Sequence, residues 1–426
     1  MNIVVLGMWH LGCVTAACAA KYESVIGLDL DPLVVTQLRQ GKPPLFEPGL
    51  TELIDAGLQS GRLKFSNDPA SACAEADLLW VCYDTPVDES DHPDLTPVFD
   101  GVRRCAAFLR PESLVLVSSQ VPVGTCAELQ KAHPGLRFGY SPENLRLGKA
   151  IEIFLQSDRI ILGVRTGQDA MAFIPLLNHF TNNLVVVGVE SAEMIKHAIN
   201  AFLASSITFM NEIARICERV GADAKEVERG LKSETRIGPG AYLSPGGPFA
   251  GGTLARDVVV LTEIAQEKKE PLALIPSIKL SNDQHKGWAI QVLRAELGSL
   301  AGKLIAVLGV TYKPGTDTLR RSLAIELCRS LLREGARVRA YDPVVETLPD
   351  EFSEVPLSRD LNSVVESAAA TVICTEWPQI RAADWEKLCR NNKLFVVDAN
   401  GFLSAILRQC GAVTYRQVGK PRPEPS

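Results

Sequence analysis

Residues 2–20 read NIVVLGMWHLGCVTAACAA, and residues 24–31 read SVIGLDLD. An apolar, β-branched run (2–6), a turn between two glycines, and a segment suited to a helix (12–21) precede a second strand-like run ending at Asp29. A glycine turn between strand and helix is the fingerprint of a dinucleotide site. The first glycine allows the tight turn, the second lets backbone approach the pyrophosphate, and the third lets helix pack on strand. Gly7 and Gly12 fill the first and third roles, but Trp9 stands where the second glycine belongs, so its ring must turn away from the phosphates. Asp29 lies 22 residues after Gly7, where a carboxylate accepts bonds from the adenosine ribose. An acid there favours NAD over NADP, whose 2′-phosphate it repels. Taken alone, the stretch also fits a turn that holds nothing.

Outward from this stretch, short apolar runs recur at 77–82, 113–119, 137–141, 159–164 and 183–188, several with helix-like segments between them. That alternation predicts a doubly wound, mostly parallel sheet. From 189 the pattern changes to one helical stretch without proline or glycine until Gly221, apolar around its circumference and suited to a buried connecting or dimerising helix. A Gly/Pro-rich loop (236–253) and two further helical stretches to about 297 follow. At KLIAVLGV (303–310) the first pattern restarts and leads to RVRAYDP (337–343). The fold class expected is α/β, with two Rossmann-like doubly wound parallel-sheet domains joined by a helical central domain. The boundaries expected are 1–188, 189–300 and 301–418, with a disordered polar tail at 419–426.

The 426 residues exceed one core. A net charge of −6 gives no footprint for nucleic acid or an anionic membrane, and no apolar run reaches the roughly 18 residues that span a bilayer. The N-terminus passes straight into a strand, leaving no room for a signal peptide. The eleven cysteines are scattered singly, which points to reduced thiols in the cytoplasm. No metal site is expected.

Eight motifs then occur in order: FEPGLTELI (46–54), SSQVPVGT (118–125), SPENLRLGKAI (141–151), AEMIKHAINAFLASSITFMNE (192–212), RIGPGAYLSPGGPFAGGTLARD (236–257), LGVTYKPGTDTLRRS (308–322), AYDP (340–343) and TEW (375–377). Together they resemble the UDP-glucose/GDP-mannose dehydrogenase family along nearly the whole chain. The resemblance implies an NAD-binding domain, a central helical domain, a nucleotide-sugar-binding domain and a homodimer through the central helix. It also implies oxidation of a nucleotide-sugar alcohol twice, with a cysteine capturing the aldehyde as a thiohemiacetal.

Carried over by position, the resemblance makes Lys196 and Asn200 oxyanion donors, four apart on one helical face. Asp257 positions water or takes a proton; read from the sequence alone, it is an acid in a helix's first turn. Glu143 matches a motif glutamate and, with Leu145, Arg236, Tyr242, Gly252 and Lys313, is expected at the substrate. Gly7, Trp9, His10, Leu11, Gly12, Asp29, Thr85 and Gln120 are expected at the cofactor. His10 and His197 read as structural. Four positions depart from the family pattern. Thr253 stands where Gly-Gly-Ser-Cys places the nucleophilic cysteine, Leu147 where a second glutamate belongs, Gln120 where a threonine belongs, and Asn400 where an arginine belongs. Leu147 and Thr253 also read as a core leucine and a packing threonine. These losses predict a single two-electron step. The alternatives are the full four-electron reaction through an aldehyde hydrate, a non-catalytic NAD- or nucleotide-sugar-binding protein, and a β-hydroxyacid dehydrogenase, against which the third domain argues.

Overall fold

The computed structural model describes residues 1–86, 88, 92–250, 252–391, 394–410 and 413–421. The chain divides into two compact units, Met1–Ile199 and Asn200–Ser426. The helix Val189–Val220 contains the point of division.

The first unit holds eight strands: β1 (Asn2–Leu6), β2 (Ser24–Leu28), β3 (Leu63–Ser66), β4 (Leu78–Val81), β5 (Leu114–Val117), β6 (Arg137–Tyr140), β7 (Ile160–Val164) and β8 (Leu184–Gly188). Their order is β3-β2-β1-β4-β5-β6-β7-β8. Every pairing is parallel except β6 with β7, which meet antiparallel at Tyr140 and Gly163. Strands β4 and β5 are buried at all four positions, which is why LLWV and LVLV are unbroken apolar runs. Alternate residues serve opposite faces. Ile3, Val5, Leu78 and Trp80 join one core, while Val4, Leu6, Leu79 and Val81 join the other. The chain winds from β1 to one side and returns past it to β4, so the carboxyl end of β1 lies at the switch point where such sheets bind ligands.

The second unit carries β9 (Leu304–Leu308), β10 (Arg337–Tyr341), β11 (Leu357–Ser358), β12 (Ala370–Ile373), β13 (Leu394–Asp398) and β14 (Val413–Arg416), in the order β11-β10-β9-β12-β13-β14 and parallel throughout. The repeat legible in the sequence extends to its hydrogen bonds. Gly7 N–H donates to Leu28 O at 2.9 Å, and Gly309 N–H to Tyr341 O at 2.8 Å. Met8 N–H donates to Asp29 Oδ2 at 2.7 Å, and Val310 N–H to Asp342 Oδ2 at 2.9 Å. Asp342 is fully buried and also accepts from Thr311, Val344, Val345 and the Trp377 indole.

The helices Ala224–Ser233, Thr253–Glu267, Leu274–Lys286 and Trp288–Leu297 precede this sheet. On the long helix, Phe202 is 72% exposed, and Phe209, Ile216 and Val220 are exposed with it. Spacings of seven, seven and four keep them on one side of a helix. Order extends past 418, where the sequence suggested a tail. Gly419 N–H donates to Glu218 Oε1 at 2.9 Å, and Lys420 pairs with Asp223. The rest of the expected tail, 422–426, lies outside the described residues. No helix among the described residues is long and apolar enough to cross a membrane.

Candidate functional site

The first unit builds a glycine turn at the end of β1. Gly7 has a φ of +94°, and a Cβ there would lie 2.8 Å from the Tyr83 ring. A Cβ on Gly12 would lie 1.8 Å from the Gly7 carbonyl oxygen, so only glycine lets the helix His10–Ala19 sit this close to the turn. Trp9 occupies the position before that helix in extended backbone, the residue being 48% exposed, with no side-chain cap on the helix. The first-turn N–H groups therefore point at whatever fills the crevice, which suits a pyrophosphate. Asp29 holds the turn through Met8 N–H and accepts Asp31 N–H at 3.0 Å, and it stays partly open to solvent. These residues fit NAD. Thr85 Oγ1 donates to Gln120 O at 2.8 Å, so two further residues expected at the cofactor are tied together. The Leu11 side chain is buried in the core, so a contact with the cofactor would be made by its main chain.

His10 is fixed by a residue that sequence reasoning assigned no role. Glu47 is buried, and its carboxylate meets His10 Nε2 at 2.9 Å, Gly148 N–H at 2.8 Å and Ala150 N–H at 2.9 Å. Burial alone would raise its pKa. The Gly148 amide, the His10 ring and the Ala150 amide outweigh that and hold it below the usual carboxylate range. His10 lies 37 residues away in the chain and the two amides more than a hundred, so no local signal marks it.

Lys196 is buried on the long helix. Its Nζ donates to the Glu143 carbonyl at 2.6 Å and lies 3.4 Å from Glu143 Oε1. Glu143 Oε2 accepts Leu145 N–H at 2.8 Å, so these three predicted residues form one cluster. The helix around Lys196 is anchored on both sides. Glu193, wholly buried, accepts Gly124 N–H at 2.6 Å and Cys126 N–H at 2.9 Å. Burial pushes its carboxyl up, against the pull of those two amides. His197 Nε2 donates to Val121 O at 3.0 Å, a structural role as expected from its place round the helix. Leu147 is 39% exposed and is not a core leucine.

In the second unit, the Asn200 amide donates to Asp257 Oδ2, with both residues buried. Asp257 is the fifth residue of the helix Thr253–Glu267, beyond its first turn, so pairing with Asn200 and not the helix dipole accounts for it. Gly252 precedes this helix with a φ of +109°, and Thr253 opens it, exposed and not packed. Gly251 lies outside the described residues.

Thr253, Tyr242 and Asn400 line a cavity of about 1040 Å³. The loop beside it is held by its backbone. Asn211 bonds Gly246 N–H and Gly247 O, Asn282 bonds Phe249 N–H and O, and His285 Nε2 donates to Gly246 O at 2.8 Å. Asn400 Oδ1 accepts Gly247 N–H at 2.7 Å, and its Nδ2 donates to Glu376 Oε1 at 2.8 Å. Arg236, Gly252 and Lys313, expected at the substrate, are not among the described lining residues. Arg236 is exposed and bonds Glu234 at 3.0 Å, while Lys313 is half-buried beside the lining Tyr312.

Three family descriptions match the chain in sequence. The NAD binding domain of the UDP-glucose/GDP-mannose dehydrogenase family covers residues 1–196, its central domain 190–284, and its UDP binding domain 306–405. The UDP-glucose 6-dehydrogenase of Rhizobium meliloti (strain 1021) is 37% identical over 99% of this chain and 100% of that protein. TuaD, a UDP-glucose 6-dehydrogenase of Bacillus subtilis (strain 168), is 32% identical over 99% of this chain and 93% of its own. A UDP-glucose dehydrogenase structure from Pyrobaculum islandicum superposes with a TM-score of 0.85 at 29% identity, covering 98% of this chain and 97% of that one. The chain belongs to the UDP-glucose/GDP-mannose dehydrogenase family and is an NAD-dependent oxidoreductase.

Proposed function

We propose that this chain oxidises one alcohol of a nucleotide sugar to a carbonyl in a single two-electron step. The observation that carries the reading is Thr253. A threonine hydroxyl stands where the family motif places a cysteine thiol, and a hydroxyl is a far weaker nucleophile unless a base activates it. Lys196 and Asn200 supply donors for charge developing on the reacting oxygen. Glu143 orients the Lys196 ammonium, and Asp257, buried against Asn200, takes the hydroxyl proton. NAD, held at Gly7, Gly12 and Asp29, supplies the hydride acceptor. Without a thiol, the carbonyl product has no covalent tether for a second hydride transfer. Leu147, in place of a glutamate, removes a carboxylate that could hold an attacking water, and Gln120 replaces a threonine hydroxyl with an amide.

The full-length likeness to UDP-glucose 6-dehydrogenases favours the four-electron reaction through a hydrate as the second reading. Counting NADH against sugar separates the two. One NADH per sugar, with a product trapped by hydroxylamine, is expected. Two NADH with a carboxylate product, and a dead Thr253→Ala variant, would show that threonine does the cysteine's work.

The exposed apolar stripe from Phe202 to Val220 supports a homodimer through the long helix. The division expected from the sequence, at 188 and 300, would then assign cofactor, assembly and nucleotide sugar to successive segments. Eleven free thiols support a cytoplasmic setting.

A further inference from the structure

We propose that Lys225 and Lys232 bind the phosphate groups of a nucleoside diphosphate in the cavity of the second unit. This rests on the nucleotide-sugar reading above and assigns its anionic part. A diphosphate needs cations. Among the described lining residues the lysines are Lys225, Lys232 and Lys286, and no arginine is present.

Lys286 is already outnumbered, with Glu326 at 3.0 Å and Asp283 at 3.3 Å. His285 is neutral: it donates from Nε2 to Gly246 O, takes an Arg215 N–H on Nδ1 at 3.1 Å, and burial lowers its pKa to about 4. Asn400 brings no charge where the family motif has arginine, and both ends of its amide are engaged.

The helix Ala224–Ser233 is different. Lys225 and Lys232 lie two turns apart on one face and flank a single carboxylate, Glu228, at 3.0 and 2.7 Å. Two ammonium groups share one negative charge, so among the described lining residues this cluster brings a surplus positive charge to the cavity. Each ammonium has three N–H donors, and Glu228 takes one from each. Both side chains remain partly exposed. Ser244 Oγ donates to Glu228 Oε1 at 2.8 Å, which ties the pair to the loop that bears Tyr242. Glu228 therefore orients the two ammonium groups and fastens the loop.

The test is calorimetric titration of the full chain with UDP, GDP, their nucleosides and inorganic pyrophosphate. Lys225→Ala and Lys232→Ala should each weaken diphosphate binding about tenfold, as loss of a hydrogen bond to a charged group does, while nucleoside binding stays unchanged. Binding should become less sensitive to salt in both. Lys232→Met keeps the aliphatic stem and, with circular dichroism, checks that the variants fold. Ser244→Ala removes the loop tether but neither charge, and should leave the ratio of diphosphate to nucleoside affinity as in the wild type. Equal losses of diphosphate and nucleoside binding in the lysine variants would overturn the proposal in favour of a loop tether. So would diphosphate binding at wild-type strength. A wild-type chain that binds pyrophosphate through the lysines but neither UDP nor GDP would overturn the nucleotide reading and keep the anion site. A chain that binds none of the three would overturn both.

Discussion

Glu47→Gln should destabilise the first unit and loosen its cofactor turn. The wild-type carboxylate accepts two backbone N–H groups and meets the His10 ring while almost excluded from solvent. Glutamine has one acceptor oxygen, so its NH₂ must oppose either the Gly148 or the Ala150 N–H, and the charge facing His10 is gone. Hydrogen bonds to charged groups contribute about 1.5–3 kcal/mol each, which puts the loss at about 2–5 kcal/mol. At about 2–4 °C per kcal/mol for a domain of this size, Tm should fall by roughly 5–15 °C. Differential scanning calorimetry with and without NAD reads both effects, and NAD should stabilise the variant less. The difference also depends on pH. The native pKa of Glu47 is lowered, so its stabilisation is complete above the ordinary carboxylate value of about 4.3 and is lost as pH falls through the lower native value. The gap between wild type and variant should therefore close in acid. A fall in Tm below about 2 °C at neutral pH, where one lost bond already implies more, would refute the reasoning. So would a gap that is constant down to the acid limit.

Gly12→Ala should abolish NAD binding, because its Cβ would lie 1.8 Å from Gly7 O and force helix and turn apart; isothermal calorimetry at an unchanged far-UV spectrum checks this. Lys196→Ala should cost roughly 10²-fold or more in kcat if its charge stabilises an oxyanion, whereas Thr253→Ala should lose little. Steady-state NADH formation with both variants decides, and equal losses would sink the assignment. Phe209→Glu should give monomers by light scattering at micromolar concentration, and a wild type already monomeric there would remove the dimer altogether.

The fold was legible where periodicity and turn chemistry agreed. Strands β1 and β2 and the glycine turn between them, the restart at β9, and the uninterrupted helix from 189 all follow from local sequence. Short strands with polar members were not legible: β3 reads LKFS, and β11 has only two residues. The roles expected of Lys196, Asn200 and Asp257 came from the family resemblance, and their pairings came only from the structure. Asp257 looked like a dipole-compensating acid because the helix start was read too close to it. Glu47, Glu193, Asn211 and Asn282 escaped notice for a shared reason. Each is a polar residue that bonds backbone groups distant in sequence, and backbone groups leave no letter in the sequence to search for.

The two glycine turns, after β1 and after β9, differ in the freedom of the acids that hold them. Asp29 gives its carboxylate to two N–H groups and remains partly open. Asp342 faces four backbone N–H groups and an indole with no exposure at all, which exhausts the roughly four lone-pair positions a carboxylate offers. A ribose hydroxyl arriving at β10 would find no acceptor left. Of the two similar turns, only the one after β1 therefore keeps an acid open to a cofactor, and titration should saturate at a single NAD per polypeptide.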